Sequence, residues 1–173
     1  MQCYQEGHCA REAERMIFYF SATGNTRYVA ARLAAATNEE MISVTDCVKN
    51  GRYRFSLRPD EIVGFLSPTY YFGFPTMVNE FLEKVEFEAE ERPYVYFVAT
   101  FGTTPGYTGS LARSALALKG YAPDAAFSVK MPDSWTPGFD LSDPERVRKI
   151  NLAADSEIDG VVQRVHERAR GDF

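Results

Sequence analysis

Met16-Ile-Phe-Tyr-Phe-Ser-Ala-Thr-Gly-Asn-Thr-Arg27 runs from an apolar stretch directly into a cluster of hydroxyl-bearing and glycine residues. The run Met16 to Phe20 reads as a short buried strand, and Ser21 to Thr26 as the tight loop that ends it. Past the loop, Val29, Ala30, Leu33 and Ala34 recur at helical spacing, which predicts a helix over Arg27 to Ala36.

The same alternation continues outward. Met41 to Val44 reads as a short second strand, Asn50-Gly51 as a turn, and Arg52 to Leu57 as extended. Ile62-Val-Gly-Phe-Leu66 and Tyr94-Val-Tyr-Phe-Val-Ala99 are further apolar runs, and Ala125 to Met131 supplies a last strand. Helical stripes appear at Val78, Phe81, Leu82 and Val85, and again at Leu111, Ala115 and Leu118, where Gly120 is a stop. Asp143-Pro144 suits an N-cap and first helical position. From there a long helix to Arg168 turns Val147, Ile150, Ala154, Ile158, Val161 and Val165 inward. The Glu83 to Arg92 charge run reads as a solvated helix end and turn. Near-continuous apolar strands are those of a parallel sheet covered on both faces, so the fold class is an α/β layered sandwich.

The chain has 173 residues, 45% hydrophobic and 14% aromatic, with 19 Lys plus Arg against 24 Asp plus Glu and a net charge of −5. This fits one domain with its own apolar core and excludes a disordered chain. An acidic balance argues against nucleic acid as partner. No apolar run approaches the ~20 residues needed to span a bilayer, so no membrane partner is expected. Cys3, Cys9 and Cys47 form neither a disulfide framework nor a Cys-x-x-Cys pair, and the expected compartment is the cytoplasm. The spacing of His8 between Cys3 and Cys9 fits no common zinc pattern. Residues 1–15 are polar and charged and are expected to form a leader outside the domain, which would then span residues 16–173 with Met16 as an alternative start.

In parallel sheets, ligands bind at the carboxyl ends of the strands, so the residues after each strand are informative. Ser21-Ala-Thr-Gly-Asn-Thr26 combines three hydroxyls, a glycine and the N-terminus of a helix, an anion site that needs no cation. The bland alternative is a helix cap. Neither a P-loop nor a Gly-x-Gly-x-x-Gly fingerprint is present, so a phosphomonoester fits better than a nucleoside triphosphate or a dinucleotide. Ser67-Pro-Thr-Tyr-Tyr-Phe-Gly-Phe-Pro75 places three consecutive aromatics in a loop, suited to stacking on a flat ring or to packing. Thr100-Phe-Gly-Thr-Thr-Pro-Gly-Tyr107 offers amide and hydroxyl donors at the same sheet edge.

These residues resemble the flavodoxin superfamily. Phe20 to Arg27 is similar to the family's Ser/Thr-x-Thr-Gly-x-Thr loop, and most similar to that of the flavodoxin-like part of bacterial flavodoxin–ferredoxin fusion proteins, with Ala22 departing from the pattern. The loops at Pro68–Pro75 and Ala99–Tyr107, and the segment Val129-Lys-Met-Pro-Asp-Ser-Trp135, also resemble their counterparts there. The resemblance implies a three-layer sandwich with a five-stranded parallel sheet in the order 2-1-3-4-5, and FMN as cofactor. It implies that Ser21, Thr23 and Thr26 bind the FMN phosphate through hydroxyls, with backbone N–H groups of Ala22, Thr23, Gly24, Asn25 and Thr26 completing the cradle. Pro68, Thr69, Tyr70, Tyr71, Phe72 and Gly73 would line one side of the flavin, and Thr100, Phe101, Gly102, Thr103 and Tyr107 the other. Which aromatic stacks is left open. Arg27 is read as solvated, and Trp135 as packing under the last helix in preference to capping the site. The ferredoxin part of the fusion proteins has no counterpart here, because no cysteine follows Cys47, so any iron–sulfur cluster is expected on a partner.

The expected function is that of an FMN-binding redox protein passing electrons between protein partners, such as a ferredoxin-type protein or a flavin reductase. It would act as a monomer or a homodimer, and no catalytic residue or metal ligand is assigned. Two alternatives are an FMN-dependent NAD(P)H:quinone-type reductase and a flavin-free interaction domain. His166, Asp133 and Asp140 are read as structural or solvated.

Overall fold

The computed structural model describes residues 15–173. Of the expected leader, residues 1–14, with Cys3, His8 and Cys9, lie outside the described residues, while Arg15 already opens the first strand. The elements run β1 (Arg15–Tyr19), α1 (Asn25–Thr37), β2 (Glu39–Ser43), α2 (Val44–Asn50), β3 (Arg54–Leu57), β4 (Ile62–Pro68), α3 (Thr76–Lys84), β5 (Glu86–Ala89), β6 (Tyr94–Phe101), α4 (Thr108–Ala117), β7 (Ala125–Lys130), α5 (Pro144–His166) and β8 (Gly171–Asp172).

Among the described residues the main sheet is parallel and has six strands in the order β2-β1-β4-β6-β7-β8. The expectation of five strands in the order 2-1-3-4-5 is corrected in two places. A sixth strand, β8, joins the β7 edge, where Gly171 and Phe173 donate to the carbonyls of Asp124 and Ala126 and the Phe173 ring stacks on Phe127 at 5.4 Å. The chain also detours through β3 and β5, which form a separate two-stranded parallel sheet. The acidic run thus contains a strand. Glu86 and Glu88 face solvent while Phe87 is buried, and Arg54 of β3 meets Glu86 at 3.0 Å on the outer side.

β4 and β6 are buried along nearly their whole length because both faces are covered. Ile17, Leu66, Tyr96 and Val98 pack with Val29 and Leu33 of α1 and Ala154 and Ile158 of α5. Phe18, Phe65 and Phe97 pack on the other face, with residues of α2, α3, α4 and the small sheet. Phe18 anchors that layer, its ring 4.7 Å from Phe55 and 5.2 Å from Phe81. At the start of α5, Asp143 caps the helix by accepting from the N–H groups of Glu145 and Arg146. Val147 and Ile150, expected to face inward, are only half-buried on the first turns of that helix.

A buried carboxyl group lies at the opposite end of the sheet from the strand tips. Glu39 Oε2 accepts from the hydroxyls of Thr37 and Tyr96, the latter at 2.9 Å, while Glu39 Oε1 has no hydrogen-bond partner among the described residues. Burial pushes its pKa up to about 7, against the pull of those two hydroxyls and of Arg15. A carboxyl whose folded pKa is raised holds its proton longer in the folded state than in the unfolded one. Stability therefore declines as pH rises from the unfolded pKa near 4.5 to about 7, and is level above. Urea melts between those limits are expected to show a loss on the order of 3 kcal/mol that Glu39→Gln removes.

Candidate functional site

The carboxyl ends of β1, β4, β6 and β7 surround one cavity of about 460 Å³. Its dimensions are those of a small-molecule site.

The first wall is the loop between β1 and α1. Gly24 stands at the N-cap with φ 103° and ψ −25°, a left-handed conformation that side-chain-bearing residues rarely adopt. Its N–H donates to Ser21 Oγ at 3.1 Å, and its carbonyl accepts from the Tyr28 N–H at 2.9 Å. This turn brings Ser21, Ala22, Thr23, Asn25 and Thr26 to the cavity, while Gly24 itself does not line it. The N–H groups of the first helical turn have no carbonyl of their own helix to bond. The Thr26 hydroxyl is buried and shares a 2.7 Å hydrogen bond with that of Thr100, fastening α1 to β6. The Thr23 hydroxyl lies 3.2 Å from that of Ser134 across the rim.

The second wall follows β4. Pro68, Thr69, Tyr70 and Tyr71 line the cavity; Phe72 and Gly73 do not. Tyr70 and Gly73 exchange N–H···O hydrogen bonds of 2.9 Å in both directions, which makes Tyr71-Phe72 a two-residue hairpin tip. Both tip residues have positive φ, 48° and 66°. Such turns ordinarily take Asn or Gly, and two aromatics there cost about 1–2 kcal/mol each. The tip is held from the third loop, where the Tyr107 N–H donates to the Phe72 carbonyl at 2.8 Å and the Thr69 hydroxyl donates to the Pro105 carbonyl at 3.2 Å. Desolvation raises the Tyr70 phenol above its ordinary pKa.

Thr100, Phe101 and Gly102 form the third wall, while Thr103 and Tyr107 stand outside it. The fourth wall is the segment after β7. Met131, Pro132, Asp133, Ser134, Trp135 and Phe139 all line the cavity. Asn25 Nδ2 fixes this segment by donating to the Pro132 carbonyl at 2.8 Å. Asp133 Oδ1 accepts from the Trp135 N–H at 3.0 Å, bending the chain so that the indole reaches the rim. Trp135 is 58% exposed and lies edge-on to Phe139, so its expected packing under the last helix is corrected. Asp133, read as a loop acid without a visible partner, is among the described residues the one charged residue on the wall, and no described Lys or Arg lines it. An anion entering beside α1 would meet hydroxyls and amides, with the aromatic walls left for the rest of the ligand.

A family model described as flavodoxin domain matches residues 16–159. Curated proteins give no match. Among solved structures, a candidate flavoprotein of Bacteroides uniformis is 17% identical with a TM-score of 0.52, the match covering 73% of this chain and 96% of that one. The rubredoxin oxygen:oxidoreductase of Desulfovibrio gigas is 16% identical with a TM-score of 0.50, covering 85% of this chain and 36% of that one. The Flv1 flavodiiron core of Synechocystis is 15% identical with a TM-score of 0.51, covering 90% of this chain and 37% of that one. This chain thus spans little more than a third of the length of the last two, and at these identities the likeness is one of fold. The family model reaches from the first strand into the last long helix, and on that match the chain belongs to the flavodoxin domain family.

Proposed function

We propose that this chain binds FMN in the cavity at the strand tips and carries electrons between protein partners. The observation behind this reading is the division of the cavity, as the described residues line it, into an end of hydroxyls and helix N-terminal amides without Lys or Arg and a remainder walled by aromatic rings. The first end suits a phosphate and the second a flat conjugated ring. Ser21, Thr23 and the first-turn amides of α1 would hold the phosphate. Tyr70, Tyr71, Phe101 and Trp135 would enclose the ring, and Asn25 would keep the fourth wall in place. Bound flavin supplies one- and two-electron chemistry, and the protein sets its potential through the groups around it.

Asp133 contributes to that setting in this reading. A carboxylate on the wall disfavours the gain of negative charge nearby, so Asp133→Asn is expected to raise the midpoint potential of the loaded protein by on the order of tens of millivolts. Potentiometric titration measures it, and an unchanged potential would remove Asp133 from the account.

The proposed partners are proteins that deliver or take electrons, such as a ferredoxin-type protein or a flavin reductase. FMN-loaded, chemically reduced protein is expected to reduce cytochrome c, used here as a one-electron acceptor. The same protein is expected not to oxidise NAD(P)H with a quinone unless a separate flavin reductase is added. Turnover of NAD(P)H and quinone by the chain alone would replace the carrier reading with that of a quinone reductase.

A further inference from the structure

Trp135 is the chain's single tryptophan, and more than half of its surface is open although it lines the cavity. Its indole is nevertheless held. The Trp135 N–H donates to Asp133 Oδ1 at 3.0 Å. The Trp135 carbonyl accepts from the N–H groups of Gly138 and Phe139 at 3.0 and 3.1 Å, which folds residues 135–139 into one tight turn. Pro137 fixes φ in the middle of that turn. Phe139 stands edge-on to the indole, with ring centres 6.4 Å apart. The closest packing is on Gly138, where a Cβ would stand 2.4 Å from Cζ3 and 2.6 Å from Cε3 of the indole. The benzo edge of the ring thus occupies the space that any side chain at position 138 would need. Gly138 itself does not line the cavity. Its φ lies outside the left-handed region, so its backbone accepts alanine.

We infer that Gly138 is a positioning residue: its missing side chain seats the Trp135 indole at the cavity wall, and FMN binding depends on Gly138 through that indole alone. The inference rests on the FMN reading above. A Cβ at position 138 forces the ring to move. A buried ring would resist, and stability would fall. A ring with an open face swings out into solvent instead, at little cost to the fold. The wall then loses a large, flat, apolar face that otherwise stands in place before a ligand arrives. Such a face favours binding because little side-chain freedom remains to be lost. Stacked aromatic pairs also gain beyond the area they bury. Gly138 therefore bears on affinity and hardly on stability, the reverse of a residue with a merely structural role.

Gly138→Ala in the full chain tests this, read by tryptophan emission, thermal melting and FMN titration. The melting temperature is expected to stay within about 2 °C of the parent. The emission of the unliganded chain, which reports Trp135 alone, is expected to move to longer wavelength as the indole enters water. FMN affinity is expected to fall about tenfold. Trp135→Leu should lower the affinity by a similar factor, and Gly138→Ala added to it should change nothing further, because both act through one ring. Unchanged emission and affinity in Gly138→Ala would overturn the inference. So would a loss that Gly138→Ala still causes in the Trp135→Leu chain, or a melting temperature that collapses along with the affinity. A parent chain that binds no FMN would instead overturn the reading on which the inference rests, and the inference with it.

Discussion

If the cavity holds FMN as proposed, Gly24→Val is expected to weaken its binding by on the order of 100-fold, close to 3 kcal/mol. Among the described residues beyond its chain neighbours, no atom lies within 4 Å of the position a Cβ would take at Gly24, so the effect is not a clash. It comes from φ 103°, which a β-branched residue adopts only at a cost of about 1–2 kcal/mol and escapes by rebuilding the turn. Rebuilding it displaces Ser21 and Thr23 and re-aims the amides of the first α1 turn together, so several of the proposed phosphate contacts would be lost at once. Gly51→Val is the matched control, for Gly51 also has positive φ and open space but caps α2 away from the cavity. It should lower stability by a similar amount and leave the affinity alone. Fluorescence titration with FMN reads both variants, and equal affinities would detach the β1–α1 turn from the site.

Gly64→Ala will cost about 3 kcal/mol of stability, an outcome set by one close approach in the sheet. Gly64 on β4 is the register partner of Tyr96 on β6, and a Cβ there would stand 2.4 Å from both Cζ and the hydroxyl oxygen of the ring. Tyr96 is fully buried, with Tyr94 stacked 6.4 Å away and its hydroxyl bound to Glu39, so it has nowhere to retreat. Moving it would also deprive the buried Glu39 carboxyl of a donor. Urea unfolding measures the loss. Gly64→Ala combined with Tyr96→Leu should recover part of it, because the smaller side chain vacates the space above Gly64. A single variant as stable as the parent would mean that the ring does not lie where the structure has it.

The long elements were legible because their burial is uniform. Ile62 to Leu66 and Tyr94 to Ala99 are covered on both faces, which writes an unbroken apolar run into the sequence. β5 was not legible, because only Phe87 points inward and the charges of Glu86 and Glu88 outweigh its period of two. α2 was hidden by β-branched residues. Val44, Thr45 and Val48 suggest a strand, whereas Ser43 accepting from the Asp46 N–H and Gly51 at positive φ close both ends of a helix. The site divides in the same way. Ser21 to Thr26 announces itself through residue type alone. Met131 to Phe139 carries no periodicity, and it reaches the cavity because Asn25, over a hundred positions earlier, holds the Pro132 carbonyl. A contact of that separation is set by the assembled sheet and has no local signature.

The most direct test of the proposed flavin site is the visible absorbance of the full chain after loading with FMN and gel filtration. One FMN is expected to be retained per chain, with absorption bands displaced from those of free flavin by the aromatic walls. A folded chain that emerges colourless would contradict it, and would leave the β1–α1 turn as a helix cap and nothing more.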